Sequence, residues 1–399
     1  MRNNLLTTLL FLLVLAFSAV AGSVFSSSPQ GFGLKSYLVS VRGMGMGGTG
    51  LVNPDTVSLS FYTVSQWRFI KITRGMVGFQ YNRQASEYQN IDFTTATGTF
   101  GGMALAIPMK RHQWVLGISL QPYSRADFRY VLTKPLGETT FNQSVLVDGN
   151  LSKAQLALIY SPHPRLGLSA SAFYYFGNFR EEFRFMFQDL EHNSDTYQIE
   201  YEVYGPGLGL SADYRLSHQF HFAGYVDFKP SLNNRQVINT TVLDTSLDLP
   251  GLESVPLQFG LGVQVLLSPQ WRAALDFSHQ DLKKTTVSAK ANLDRWYHLG
   301  FGVEHLNGGR RAKKFLNKFD SRAGFSVSRL GYRFDNDPVY EYGFHLGLGI
   351  PFFAHINRLD LAFVGGWRGD KSANKARETF LRIDVSVSVG ERWFRRLDR

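Results

Sequence analysis

Ten histidines and no cysteine limit the chemistry that this 399-residue chain can hold. A structural zinc site draws on Cys and His at fixed spacings; no such spacing and no H-E-x-x-H pair occurs, so no metal or cofactor is implied. Nucleophilic catalysis needs a nucleophile held against a base. His298 and His345 are the two attractive bases, but no G-x-S-x-G accompanies them, and both read as polar residues of an enclosed interior rather than as parts of an enzyme. Gly43-Met-Gly-Met-Gly-Gly48 formally matches the dinucleotide pattern G-x-G-x-x-G. That pattern works only with a helix after it and an acidic residue about 20 positions further on. Pro54 intervenes and the acid is missing, so these glycines serve something other than a pyrophosphate.

The elements that would position such residues are strands. Phe380 to Gly390 places Leu381, Ile383, Val385, Val387 and Val389 on one face and Arg382, Asp384, Ser386 and Ser388 on the other. Side chains of a strand switch faces at every residue, so this two-residue period marks a sheet with one apolar and one polar surface. Leu257, Phe259, Leu261, Val263 and Val265 repeat the pattern, as do Tyr342, Phe344, Leu346, Leu348 and Ile350. Fourteen strands are expected, over 68–84, 94–108, 111–131, 146–162, 165–188, 194–215, 217–240, 253–267, 270–288, 293–305, 321–334, 341–350, 356–367 and 378–390. Tight turns alternate with longer polar links, except that the basic stretch from Glu304 to Asp320 is long where a short turn is due.

The N-terminus supplies the setting. Arg2, an apolar run from Leu5 to Leu15 and the Ala19-Val-Ala21 pattern ahead of Gly22 read as a Sec signal peptide over residues 1–21. The run is shorter than the roughly 20 apolar residues that span a bilayer. With 33 Phe, 18 Tyr, 38 Gly and only 19% charged residues, the exported chain suits a molecule half in lipid and half in water. A sheet edge in hydrocarbon leaves backbone groups unpaired, so a spanning sheet must close. The expectation is an all-β, transmembrane antiparallel barrel over residues 68–399 in the outer membrane of a Gram-negative-type bacterium. Trp114, Tyr160, Trp271, Phe352, Phe353 and Trp367 would form its interfacial girdles. The inward charges Arg272, Asp276, Arg358, Asp360, Arg382 and Asp384 are expected to pair across neighbouring strands.

Residues 22–67 are too many for a tail, and they carry the sequence SVRGMGMGGTG from Ser40 to Gly50. This segment resembles the S-A-R-x-M-G-M-G-G-A-G stretch near the mature N-terminus of the FadL-type long-chain fatty acid transporters and their relatives, which include the barrel of the type IX secretion system. The resemblance implies that residues 22–67 form a hatch plugging a fourteen-stranded barrel, and that the cargo is a hydrophobic compound such as a long-chain fatty acid, leaving through a gap in the wall. Where members of that superfamily follow the glycines with a short acidic stretch and Asn-Pro-Ala, the equivalent neighbourhood here reads LSFYTVSQW over Leu59 to Trp67, and a lone Asn53-Pro54 comes earlier. Met44, Met46, Phe61, Tyr62 and Trp67 are the candidate ligand-binding residues, since thioethers and aromatics accommodate varied apolar guests. A barrel that anchors a protein secretion or assembly system, without small-molecule transport, is the alternative.

The net charge of +10 and the cluster Arg310, Arg311, Lys313, Lys314 and Lys318 read either as a solvated loop or as a patch for anionic partners. For an exported barrel these are outer-membrane lipid and lipopolysaccharide, or an acidic periplasmic protein, rather than nucleic acid.

Overall fold

A computed structural model describes residues 22–26, 33–88, 91–109, 113–136, 139–187, 194–240, 254–284, 293–308, 318–353 and 356–393. The signal peptide expected over residues 1–21 and the basic residues Arg310, Arg311, Lys313 and Lys314 lie outside them.

Sixteen strands are present among the described residues. A two-residue bridge, β1 (Leu34–Lys35), precedes β2 (Thr73–Tyr88), β3 (Ile91–Pro108), β4 (Trp114–Leu136), β5 (Thr139–His163), β6 (Leu166–Phe187), β7 (Asp195–Arg215) and β8 (Phe220–Asp227). There follow β9 (Asn233–Thr240), β10 (Gln258–Leu266), β11 (Trp271–Asp281), β12 (Leu293–His305), β13 (Asp320–Phe334), β14 (Asp337–Phe352), β15 (Asn357–Arg368) and β16 (Ala376–Glu391). Every wall pairing is antiparallel, and the ring closes where β16 runs alongside β2 from Ala376↔Tyr88 to Glu391↔Thr73. Leaving out β1 and β9, fourteen strands form the wall, as the dyads predict.

The inside-outside assignment also holds. Leu208, Leu261 and Leu346 on the outer rows are 62–64% exposed, while Asp384, Ser388 and Glu304 on the inner rows are fully buried. Leucine rows facing outward in a closed sheet are stable only against lipid. At the end of the tight turns Trp114 stacks on Tyr160 with centroids 4.3 Å apart, and Trp271 and Phe353 project outward.

Two expectations are corrected. The stretch 217–240 is two strands: β8 follows the lower half of β7, and β9 pairs with its upper half, from Tyr204↔Asn233 to Tyr197↔Thr240. Loop lengths do not sort by rim, because β13 and β14 join through a two-residue turn with Asp335 and Asn336 at positive φ, the hairpin geometry whose twist matches the strands. The long connection between β12 and β13 falls at the turn end, where the sequence places it.

Strand length is uneven. Strands β4 to β7 run 23, 25, 22 and 21 residues against 9 for β10 and 11 for β11. A tilted strand crosses hydrocarbon in about 9–11 residues. On β6 the outward row changes from Leu168, Tyr174 and Phe176 to Asn178, Arg180 and Arg184, and on β7 from Tyr204 to Glu202 and Glu200. The upper halves of β4 to β7, with β9, therefore stand as a wing above the apolar band. Phe128, Val145, Val147, Phe179 and Val203 line its inner side.

Candidate functional site

The N-terminal segment lies inside the ring. Its glycine-rich turn begins with the short helix α1 (Val41–Met44), capped by Ser40, whose Oγ accepts from the Gly43 amide at 3.1 Å. Gly47 and Gly48 have φ near +76° and +72°, a region that favours glycine. The wall opposite is bare for the same reason. A Cβ on Gly302 would lie 2.2 Å from Met46 O, one on Gly300 2.3 Å from Gly47 O, and one on Gly324 2.3 Å from Gly47 N. Glycine on both surfaces lets backbone meet backbone, which accounts for the glycines on the inward rows.

Charge fixes the same segment at the turn end. Arg42 bonds Glu304 through Nε at 2.8 Å and also through its Nη2, and its Nη1 meets Asp55 at 2.9 Å. Arg322 joins Glu304 and Asp360, each at 2.8 Å, and Arg358 joins Asp360 at 2.9 Å and Asp55 at 2.6 Å. Arg322 on β13 reaches Asp360 on β15 across the intervening β14 because Gly347 and Gly349 leave the path open. Burial alone would raise the Asp55 carboxyl; Arg358 and Arg42 outweigh it and hold that group well below the usual carboxylate range. The expected cross-strand pairing is thus replaced by an ionic lattice tying the segment to the wall. Among the described residues Asp276 pairs with no cation, and its Oδ2 accepts from the Gly50 and Leu51 amides at 2.6 and 2.7 Å. Below, Arg68 pairs with Asp213 at 2.7 Å before the chain enters β2.

The two histidines hold the segment as well. His345 Nδ1 lies 2.6 Å from Met44 O and its Nε2 2.8 Å from Ser326 Oγ; the carbonyl can only accept, so Nδ1 donates and the serine hydroxyl donates to Nε2. His298 Nδ1 sits 2.8 Å from Ser328 Oγ.

The wall is incomplete at one place. Strand β3 pairs with β4 over only six positions, from Pro108↔Val115 to Met103↔Leu120, although both continue well beyond. Gly101 and Gly102 mark the departure on β3, Gly102 at φ +117°, and a bulge lies between Pro122 and Ser124 on β4. Part of the abandoned edge of β4 is taken up from inside. Leu34 and Lys35 pair with Arg125 and Ser124, Ser36 N donates to Tyr123 O at 2.8 Å, and Ser26 Oγ donates to Asp127 O at 2.7 Å. The segment then crosses to β16, where Ser23 Oγ and Val24 N both donate to Glu378 at 2.7 Å.

A cavity of about 550 Å³ lies behind this seam. Thr97, Thr99 and Phe100 border it on the β3 side and Pro122, Ser124 and Arg125 on the β4 side. Gln80, Asn82, Gln84, His298, His345 and Arg382 form the polar part of the lining, and Leu34, Met44, Trp296, Leu330 and Val364 the apolar part. No carboxylate lies within 4 Å of Arg382 among the described residues. Of the five candidate ligand residues, Met44 borders this cavity. Phe61 packs beside Gly102 and Trp67 beside Gly117, where the Trp67 Nε1 donates to Ser60 O at 2.9 Å. Tyr62 stacks between Tyr37 and Tyr225, and Met46 sits against Gly302. All five are at most 5% exposed and do not form one pocket. The polar residues Gln80, Asn82, Gln84 and Arg382 were missed as candidates; the signal available was their shared inward phase.

Among the described residues no group of His, Asp and Glu could hold a metal ion, and no helix is long and apolar enough to cross a membrane.

A model of the family described as BamG matches residues 1–398. No curated protein matches the chain. Among solved structures, a Pseudomonas aeruginosa FadL homologue superposes with a TM-score of 0.60 at 11% identity, covering 90% of this chain and 99% of that one. The Pseudomonas putida toluene transporter TodX gives 0.60 at 13% identity, with 92% and 100% covered. The Ralstonia pickettii toluene transporter TbuX gives 0.56 at 10% identity, with 87% and 97% covered. At this identity the likeness shows the fold, and the resemblance carried by Ser40 to Gly50 agrees with it.

Proposed function

The chain belongs to the BamG family, and from that premise, together with its FadL-type fold, we propose that it is an outer-membrane barrel admitting hydrophobic compounds by passive movement. The observation that carries this reading is the seam: the wall parts between β3 and β4 beside an internal cavity, at a height where lipid lies outside. A guest could leave sideways without crossing the ionic lattice below. Residues 22–67 act as the hatch in this reading, with Met44, Met46, Phe61, Tyr62 and Trp67 forming its apolar packing against the wall.

A bare hydrocarbon would strand the polar lining without partners, which costs free energy for every buried group left unmatched. An amphiphile with a carboxylate head, such as a long-chain fatty acid, suits the cavity better: the head meets Arg382, Gln80 and Asn82 while the tail lies in the seam. Uptake of a radiolabelled long-chain fatty acid into cells with and without the protein tests this, and equal rates would sink it.

One observation favours a second reading, a barrel that anchors a protein secretion or assembly system. The wing formed by β4 to β7 and β9 exceeds what crossing a membrane requires, and it offers a broad polar outer face. Stable co-purification of protein partners in gentle detergent that is lost when the wing is shortened supports that reading; a bare monomer weakens it.

A further inference from the structure

Lys35 is a side chain of the N-terminal segment that the wall receives as a guest. Its Nζ donates to Gln258 Oε1 at 2.7 Å, to Tyr123 Oη at 3.2 Å and to Gln280 Oε1, so three acceptors meet the three N–H groups of an ammonium. The Trp296 and Tyr123 rings lie 4.4 and 4.6 Å from it, within cation–π range. Both amides are oriented beforehand: Gln258 Nε2 donates to Tyr225 Oη at 2.6 Å and Gln280 Nε2 to Pro256 O at 2.7 Å, which turns both carbonyl oxygens toward the ammonium. The receptor exists in the wall independently of the lysine, on β4, β10, β11 and β12.

What the receptor lacks is a counter-charge. Arg42 and Arg68 in the same segment have carboxylates, and another lumenal lysine, Lys153, has Asp227 at 2.6 Å. No carboxylate lies within 4 Å of Lys35 among the described residues. Burial pulls its ammonium well below the ordinary lysine value, with Asp227 offsetting this in part from a distance. A half-buried cation held by neutral oxygens and rings keeps part of its desolvation cost uncompensated, so the contact is reversible where the ionic lattice at the turn end is firm.

We propose that Tyr123, Gln258, Gln280 and Trp296 form a primary-ammonium site, and that Lys35 is its tethered, exchangeable occupant. A free alkylammonium takes the place of Lys35, and Leu34 to Tyr37 then leave the edge of β4 while the glycine-rich turn stays docked. Because Leu34, Lys35 and Ser36 cover Tyr123 to Arg125 on the seam, the exchange opens the cavity sideways.

The chain has no cysteine, so single thiols report cleanly. Leu34→Cys is placed in the purified, detergent-solubilised protein and its modification by a maleimide is timed, with Met46→Cys as the reporter for the docked turn. Adding n-butylammonium is expected to speed labelling of Leu34→Cys at least about tenfold, a shift of ~1.4 kcal/mol in the opening equilibrium, while n-butanol at equal concentration leaves it unchanged. Lys35→Met, which keeps the stem, is expected to label fast and to ignore the amine. The proposal falls if butanol matches the ammonium, if the amine has no effect on the lysine form, or if Met46→Cys accelerates in step with Leu34→Cys. The amine arm leaves Lys35 intact and so does not depend on any cage variant folding.

Discussion

Gly45 of the N-terminal segment and Gly347 of β14 meet backbone to backbone: a Cβ on Gly45 would lie 2.7 Å from the Cα of Gly347. Neither partner can yield by rotating a side chain. Gly347→Val should therefore cost about 1–3 kcal/mol by overpacking and push the segment off the wall, read as faster labelling of a thiol at position 46. Gly365→Ala on β15 is the matched control, since nothing lies within 4 Å of the added methyl. Equal effects of the two changes would show that the close approach is not what seats the segment.

Glu304 accepts from two buried guanidiniums, Arg42 and Arg322. Glu304→Gln leaves both short of charge and should destabilise the protein by roughly 3–5 kcal/mol, the usual consequence of breaking a buried ion pair from one side. Replacing Arg42 and Glu304 together by Met and Leu should cost less than Glu304→Gln alone. Urea midpoints of the three proteins decide it.

Asp55 sets a pH limit. Its carboxyl is held below the unfolded value of about 3.9, so its contribution is complete above that value and is lost as pH falls through the folded one. Thermal stability relative to Asp55→Asn should be flat from pH 8 to about 5 and the gap should close only in stronger acid. A gap that closes already near neutrality would contradict the lattice.

Arg382 separates head from tail. In the proposed transport role, Arg382→Gln should slow fatty acid uptake about tenfold, ~1.4 kcal/mol, and leave uptake of an uncharged hydrocarbon unchanged. Parallel loss of both would move the head-binding role elsewhere in the cavity.

Filling the seam tests the route. Thr97→Trp places bulk at the β3 side of the opening without touching the lattice, and it should reduce uptake while the folded, heat-modifiable form on gels persists. Unimpaired uptake would mean that cargo travels by another path.

Strand number and the facing of residues were legible because both follow from the period-two rows, as with Leu261 outward and Ser388 inward. The glycines at 43–48 were legible as a special segment, though not their partners Gly300, Gly302 and Gly324, which read only as weak positions in strands. Asp276 was misread for a physical reason. A carboxylate on an inward row looks the same whether it meets an arginine or two backbone amides, and only the position of Gly50 and Leu51 decides. The seam leaves one mark on side-chain alternation, because the outward phase of β3 shifts by one residue across Gly101 and Gly102, from Met103 to Phe100, where β3 bulges against β2. The ammonium site was hidden by distance, because Gln258 and Gln280 lie 223 and 245 residues from Lys35.

Closure of β16 onto β2 joins the end of the described wall to its beginning, around a core that precedes both in the chain. The cylinder is complete only once its last stave meets its first, with the N-terminal segment enclosed. In the finished structure that enclosed backbone is a mandrel whose bare glycines set how closely the staves lie around it.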